Sequence, residues 1–79
     1  MTNALYPAEK YTYRVLWSED ARRYVGVCSE FPTLSFQAAT HAVALDGIIA
    51  WVREMLENIR RLGQVAPTPA AIKLIGGRE

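Results

Sequence analysis

The chain has 79 residues, of which 51% are apolar and 22% are charged. This length allows a single domain, because two cores of half the size would each bury too little apolar surface to fold, and the composition excludes a disordered chain. Nine Lys and Arg residues against eight Asp and Glu residues give a net charge of +1, which excludes nucleic-acid binding by bulk charge alone.

The sequence predicts a cytoplasmic protein that needs no cofactor. No stretch approaches the roughly 18 consecutive apolar residues of a membrane span, and the N-terminus lacks the basic start and apolar run of a signal peptide. The single cysteine, Cys28, cannot form an internal disulfide and has no Cys or His at a metal-ligand spacing. Because a core of this size supplies only about 3–5 kcal/mol of stability, we expect a homodimer or a larger homo-oligomer.

The first half of the chain predicts a β-hairpin. Residues 1–10 have no periodic pattern and are expected to be a flexible lead-in. Aromatic and β-branched residues alternate in Tyr11–Ser18, which predicts the first strand. The polar break Glu19–Arg22 separates it from a second strand over Arg23–Phe31, so the two strands are expected to pair in antiparallel fashion.

A short third strand is predicted after this hairpin. Pro32 cannot donate to a strand ladder, and Thr33 and Leu34 are expected to turn the chain. Ser35–Ala39 is then long enough for a third strand before the helix begins.

A long amphipathic helix is predicted from about His41 to its end at Gly63. Thr40 can cap the N-terminus, and glycine is the usual residue just beyond a helix C-terminus. Apolar residues recur at spacings of three and four on one face: Leu45, Ile48, Ile49, Val52, Leu56 and Ile59. Trp51 and Met55 lie at the margin of this stripe and are candidates for contact with a second chain.

The predicted fold is α+β, with a three-stranded antiparallel sheet followed by one long helix. Residues 11–63 form the domain, and residues 64–79 form an extended arm that contains Pro67 and Pro69. Ala71–Ile75 could add a short fourth strand or act as a docking arm.

The sequence predicts no catalytic residue. His41 lies far along the chain from Cys28, and an unpaired cysteine within a strand is most often a small buried residue. Four carboxylates, at Glu19, Asp20, Glu30 and Asp46, could form the metal site of a nuclease. Turn formation and helix-dipole compensation are the ordinary roles of three of them, namely Glu19, Asp20 and Asp46, so a nuclease remains a minor alternative.

A small nucleic-acid-binding protein is the stronger alternative. Four aromatic residues, Tyr11, Tyr13, Trp17 and Tyr24, could stack nucleobases on an open sheet face, assisted by Arg14, Arg22 and Arg23. Core packing is the more frequent use of such aromatics, and the near-neutral charge argues against this function.

The strongest signal is a series of motifs in a fixed order. The strand Tyr11–Ser18 is of the Tyr-x-Tyr-x-Val-x-Trp kind, and a Phe-Pro-x-Leu turn follows at Phe31–Leu34. Ala39-Thr40 precedes the helix, Ala44–Ile48 gives Ala-Leu-x-Gly-Ile, and Pro67–Pro69 gives Pro-x-Pro. Over residues 11–69 the chain closely resembles the N-terminal domain of HicB-family antitoxins.

The resemblance implies a partner and no catalytic residues. HicB-type antitoxins bind and inhibit a HicA-type toxin, a small ribonuclease that cuts messenger RNA. Such a chain would use an exposed sheet edge, the apolar helix margin or the C-terminal arm for contact. The candidate interface residues are Arg22, Arg23, Trp51, Met55, Ile72 and Leu74.

The chain departs from the family pattern in two ways. Complete members continue beyond the Pro-x-Pro segment into a DNA-binding segment, which is missing here, so DNA binding is not expected. The acidic residues that often open the family's helix are replaced by Ala42 and Val43. An orphan HicB-like homo-oligomer without a toxin partner is therefore a further alternative.

Overall fold

The computed structural model describes residues 7–67 and 69, and these form a sheet covered by one helix. A 3₁₀ turn at Ala8–Lys10 precedes the strands. The strands are β1 (Tyr13–Ser18), β2 (Arg23–Cys28) and β3 (Phe31–Ala38), and the helix α1 spans His41–Leu62. The strands pair antiparallel in the order β1-β2-β3. The predicted α+β fold is thus confirmed, whereas the optional strand at Ala71–Ile75 lies outside the described residues.

The register of the sheet determines which side chains face α1. Gly26 of β2 lies opposite Val15 of β1 and Phe36 of β3. A Cβ at Gly26 would lie 2.5 Å from the carbonyl oxygen of Ala44 and 2.8 Å from Cγ2 of Ile48. The face of the sheet that carries Val15, Gly26 and Phe36 therefore lies against the helix. Because neighbouring residues in a strand alternate between faces, Val25 and Val27 lie on the opposite face.

The chain passes from β2 to β3 earlier than the sequence predicts. The second strand ends at Cys28 rather than Phe31, and Ser29 and Glu30 form the turn. The amide of Ser29 donates to the carbonyl of Thr12, and a carboxylate oxygen of Glu30 accepts from the amide of Thr12 at 3.1 Å. The amide of Thr12 thus bonds to a side chain rather than to the backbone of a neighbouring strand. The first strand therefore begins at Tyr13 instead of Tyr11.

β3 is longer than predicted because it includes Pro32. Cys28 pairs with Phe31 while Val27 pairs with Ser35, so the register shifts here and leaves Pro32, Thr33 and Leu34 without regular partners in β2. A missing amide donor costs little at such a bulge on an edge strand. The prediction that residues 32–34 leave the sheet is therefore wrong.

Both ends of α1 carry the signals that the sequence predicts. The Thr40 hydroxyl accepts from the amide of Val43 at 3.2 Å, which is the usual N-cap bond. Gly63 has a φ of 71°, its amide donates to Arg60, and the amide of Gln64 donates to Ile59. These two bonds form a Schellman motif, which is most favourable with glycine in the left-handed conformation.

The core lies between α1 and the inner face of the sheet. Ile48 and Val52 are fully buried, and each contributes about 1.5–3 kcal/mol relative to an exposed side chain. Ala44, one helical turn before Ile48, is also fully buried. The small side chain allows the helix to approach β2 at Gly26.

The segments that flank the domain also pack against it. Ala8 is buried and its carbonyl accepts a hydrogen bond of 2.6 Å from the hydroxyl of Tyr13, although the sequence predicts no packed face for residues 1–10. After the helix, Ala66 joins the core cluster. The hydroxyl of Tyr11 donates to the carbonyl of Pro67 at 2.6 Å. The two flanking segments therefore meet at Tyr11.

Candidate protein interface

Two exposed surfaces carry large apolar side chains, and they lie on opposite sides of the sheet. We call the first the β3–α1 groove, which is defined by Phe36, Gly47, Ala50, Trp51 and Glu54 and encloses about 260 Å³. Phe36 packs directly on the helix backbone at Gly47, where a Cβ would overlap the ring. This close approach leaves Trp51 at the rim of the groove with 45% of its surface exposed.

The outer edge of β3 borders this groove. β3 is the last strand in the order β1-β2-β3, and no described strand pairs with its outer edge. Its eight residues, FPTLSFQA, include none with a charge. An edge of this kind offers free backbone donors and acceptors to another strand.

We call the second surface the open sheet face, because no described element covers it. Leu16 of β1 lies directly opposite Val25 of β2, and Val27 follows on the same face. Leu16 is 48% exposed, whereas the two valines are half-buried by their neighbours. Four exposed polar residues surround them: Arg14, Arg23, Ser35 and Gln37.

The predicted interface residues are divided between these surfaces. Trp51 lies in the β3–α1 groove, and Met55, one helical turn further on, is half-buried against the core. Arg23 lies at the margin of the open sheet face. Arg22 is in the hairpin turn, where its guanidinium forms an exposed ion pair with Glu19 at 3.2 Å. Ile72 and Leu74 lie outside the described residues.

The sequence prediction misses Leu16, Val25, Val27 and Phe36 as surface residues. The sequence does show apolar residues on both faces of the first two strands, which indicates that a second face could be exposed. Alternation assigns residues to two faces, however, and cannot say which of them the helix covers. The sequence prediction concentrated on the face with the aromatic residues Tyr13 and Trp17, and this is the face on which α1 packs.

The four aromatics proposed for nucleobase stacking lie on the helix side of the sheet. Tyr11 is buried and its ring lies 5.6 Å from that of Phe31. Trp17 and Tyr24 pair edge to face at 5.1 Å, and Tyr24 makes a similar contact with His41. The open sheet face therefore presents aliphatic side chains and arginines rather than aromatic rings.

Two of the four carboxylates proposed for a nuclease, Glu19 and Glu30, are used in separate local contacts. Glu30 accepts from the amide and the hydroxyl of Thr12 and from the thiol of Cys28. Glu19 accepts from the indole of Trp17 at 2.9 Å and pairs with Arg22. Among the described residues, no group of three or more His, Cys, Asp or Glu side chains could hold a metal ion. Glu30 thus supports the start of β1.

Two groups near this turn, the buried thiol of Cys28 and the half-buried phenol of Tyr13, have raised pKa values. Burial raises the pKa of the Cys28 thiol. The backbone hydrogen bonds of Glu30 and Phe31 act in the opposite direction, whereas the bond to the Glu30 side chain adds to the rise because it is lost with the proton. Burial is also the main cause of the raised pKa of Tyr13, and the nearby Cys28 and Glu30 add to it. Both shifts favour the neutral form of the group, and Cys28 is buried, as its position within a strand predicts.

A third concave region lies between the 3₁₀ turn and the last turns of α1. It encloses about 450 Å³ and is lined by Pro7, Ala8, Glu9, Arg53, Leu56, Glu57 and Arg60. Charges of both signs alternate along it, and Arg60 pairs with Glu57 at 2.6 Å. The lining has neither a continuous apolar area nor one dominant charge, so it favours no ligand class.

Two further findings leave the function to be argued from the residues of the chain. No helix of the described chain combines the length and the apolar character that a membrane crossing requires. No protein-family model, no curated protein and no solved structure matches this chain.

Proposed function

We propose that this chain is a non-catalytic protein-binding module of the HicB antitoxin type, which binds and inhibits a HicA-type toxin. The observation that carries the proposal is the open sheet face, where Leu16, Val25 and Val27 form an exposed aliphatic centre within a polar rim. An apolar centre surrounded by polar residues is the usual arrangement of a protein interface. The choice of a HicA-type toxin as the partner rests on the order of sequence motifs, which resembles that of HicB antitoxins.

The composition of this face favours a protein partner over a nucleic acid. Sequence-independent binding to single strands uses several aromatic rings on which bases stack, and here Tyr11, Tyr13 and Tyr24 are buried or half-buried on the helix side, so that Trp17 alone keeps about half of its surface exposed. Aliphatic side chains gain free energy by burial against another apolar surface. Arg23, one of the predicted interface residues, lies at the rim, where it could pair with a carboxylate of the partner.

The proposed location is the cytoplasm. Cys28 is a free thiol within the core, and the toxin's messenger RNA substrate is found there. A reduced compartment is the usual setting of such a cysteine.

The proposal is tested by purifying the tagged protein from extracts of its own cells and identifying what co-purifies by mass spectrometry. We expect a small ribonuclease in stoichiometric amount. Leu16→Glu should abolish its recovery, because the carboxylate would be buried without a partner. Val43→Glu is the matched control, since Val43 is an aliphatic residue of similar exposure, 52%, that lies on the helix.

The two alternatives give different results in the same experiment. Recovery of RNA with the protein, in an amount that falls steeply as salt rises, would replace the toxin by a nucleic acid bound through Arg14 and Arg23. Recovery of the protein alone, from cells in which it is abundant, would indicate an orphan homo-oligomer and would overturn the antitoxin proposal.

A further inference from the structure

The charges on the three strands all lie on the open sheet face. The strands contain two charged residues, Arg14 of β1 and Arg23 of β2, and neither Asp nor Glu. Both arginines are exposed, and their positions in the register place them on the face opposite to α1. The ion pairs within the described residues are formed in the hairpin turn and on α1. In the described part of the chain, Arg14 and Arg23 therefore have no carboxylate partner.

The two arginines lie at opposite ends of the aliphatic centre. Arg14 precedes Leu16 by two positions on β1, and Arg23 precedes Val25 by two positions on β2, which runs in the opposite direction. With about 3.3 Å per residue along a strand and about 4.8 Å between strands, the Cα atoms of the two arginines are about 14 Å apart. The paired residues Leu16 and Val25 lie midway between them. The face thus has a positive charge at each end of a short apolar line.

This pattern of charge discriminates between the possible occupants of the face. A second copy of the same face would gather four arginines without a carboxylate, which is unfavourable. A nucleic acid would compensate the arginines, but its phosphates and sugars would not cover the aliphatic centre. An acidic protein surface with apolar residues between its carboxylates does both.

The shape of the face favours a helix as the occupant. An amphipathic helix is the usual cover for an apolar sheet face, and α1 packs in this way on the other side of the sheet. The line between Arg14 and Arg23 is inclined by only about 20° to the strands, so a helix along it would lie nearly parallel to them.

We infer that the open sheet face binds an acidic amphipathic helix of the partner protein, with one carboxylate at Arg14 and another at Arg23. The inference rests on the proposed function, because it uses the same face, and it adds the chemistry of the segment that the face recognises. A helix rises about 1.5 Å per residue, so the span of about 14 Å corresponds to about nine residues. The nearest separations that keep two residues on one side of a helix are about seven and eleven residues. Apolar residues between the two carboxylates contact Leu16 and Val25.

The inference is tested on the purified full chain with two synthetic alanine-rich peptides of about 20 residues, a length at which such helices form in water. One peptide has two glutamates that are eleven residues apart, with leucines at the fourth and seventh positions after the first glutamate. The other peptide has lysines in place of the two glutamates. Isothermal titration calorimetry should give a dissociation constant at least about 10-fold lower for the glutamate peptide, because ion pairs replace repulsion at both ends.

An exchange of charge on the protein tests the position of the helix. Arg14→Glu combined with Arg23→Glu should reverse the preference, and tight binding of the lysine peptide would also show that this variant is folded. Arg53→Glu combined with Arg61→Glu makes the same change in net charge on exposed positions of α1 and should keep the wild-type preference. Equal affinities of the wild-type protein for the two peptides would overturn the inference. So would the absence of binding at about 1 mM, or tighter binding of a single-stranded RNA of about 12 nucleotides.

The result can be separated from that of the proposed function. Selective binding of the glutamate peptide, without recovery of a ribonuclease from cells, would remove the toxin and leave the acidic helix as the occupant. Recovery of the ribonuclease in undiminished amount by the variant with Arg14→Glu and Arg23→Glu would overturn the inference and leave the toxin as the partner.

Discussion

Phe36 and Gly47 are in such close contact that the ring of Phe36 occupies the space in which any other residue at position 47 would place its Cβ. This contact sets the distance between β3 and α1. Glycine within a helix costs about 1 kcal/mol relative to alanine, so its presence here is repaid by the packing of the ring on the helix backbone.

Gly47→Ala should therefore destabilise the protein in spite of the better helix propensity of alanine. The new methyl group must displace Phe36, and overpacking of this kind costs about 1–3 kcal/mol. Urea denaturation monitored by circular dichroism measures the change in the free energy of unfolding. In a Phe36→Leu background the same substitution should cost less, and an equal cost in both backgrounds would show that the ring is not the obstacle.

Gly63→Ala should destabilise the protein by about 1 kcal/mol, for a reason unrelated to packing. Gly63 adopts a φ of 71°, and a Cβ there would meet no atom within 4 Å, so the cost comes from the left-handed backbone alone. Gly63→Asn should cost less, because asparagine tolerates this conformation better than alanine does. Equal losses for the two variants, measured by thermal unfolding, would contradict this explanation.

Tyr11→Phe should lower the free energy of unfolding by about 1 kcal/mol. The substitution removes the hydroxyl that donates to the carbonyl of Pro67 while it keeps the ring packed on Phe31. Amide hydrogen exchange should increase in residues 64–67 more than in the sheet. A uniform increase across the domain would show that this bond does not hold the segment locally.

The free energy of unfolding should fall in alkaline solution. The folded state keeps Cys28 protonated because its pKa is raised, whereas the unfolded thiol loses its proton near its ordinary pKa of about 8.5. The folded state binds more protons above that pH, so stability is unaffected below about pH 8 and decreases as the pH rises further. Tyr13 should add to the decrease above about pH 10, since its pKa is also raised.

Cys28→Ala isolates the contribution of the thiol. The variant should be less stable at pH 7, because it leaves a small cavity, but its stability should change little between pH 8 and pH 9.5. Urea denaturation at a series of pH values measures both quantities. A slope in this range that matches the wild-type slope would assign the alkaline loss to other groups.

Local patterns in the sequence were sufficient for the main elements of the fold. The alternation in Tyr13–Ser18 and the spacing of Ile48, Val52 and Ile59 each correspond to one face of one element, so a strand and a helix could be predicted from them. The hydroxyl of Thr40 and the glycine at position 63 marked the two ends of the helix correctly. Each of these signals acts over a few residues.

What the sequence could not predict depends on contacts between distant residues. Pro32 remains within β3 because Cys28 pairs with Phe31, and the first strand is shortened because Glu30 reaches the amide of Thr12. The exposure of Leu16 depends on which face of the sheet the helix covers. None of these relationships produces a periodic pattern in the sequence. The open sheet face and the β3–α1 groove could therefore be identified only from the structure.

The bond between Tyr11 and Pro67 joins residues 56 positions apart. During synthesis on a ribosome, the sheet and helix are complete in the chain before Pro67 has left the exit tunnel. The contact of Tyr11 with Pro67 and the packing of Ala66 on the core can form only after the residues between them have emerged, so the core cluster is completed late. The newly made chain therefore passes through a stage in which it is most exposed to chaperones and to its own neighbours on the same messenger RNA.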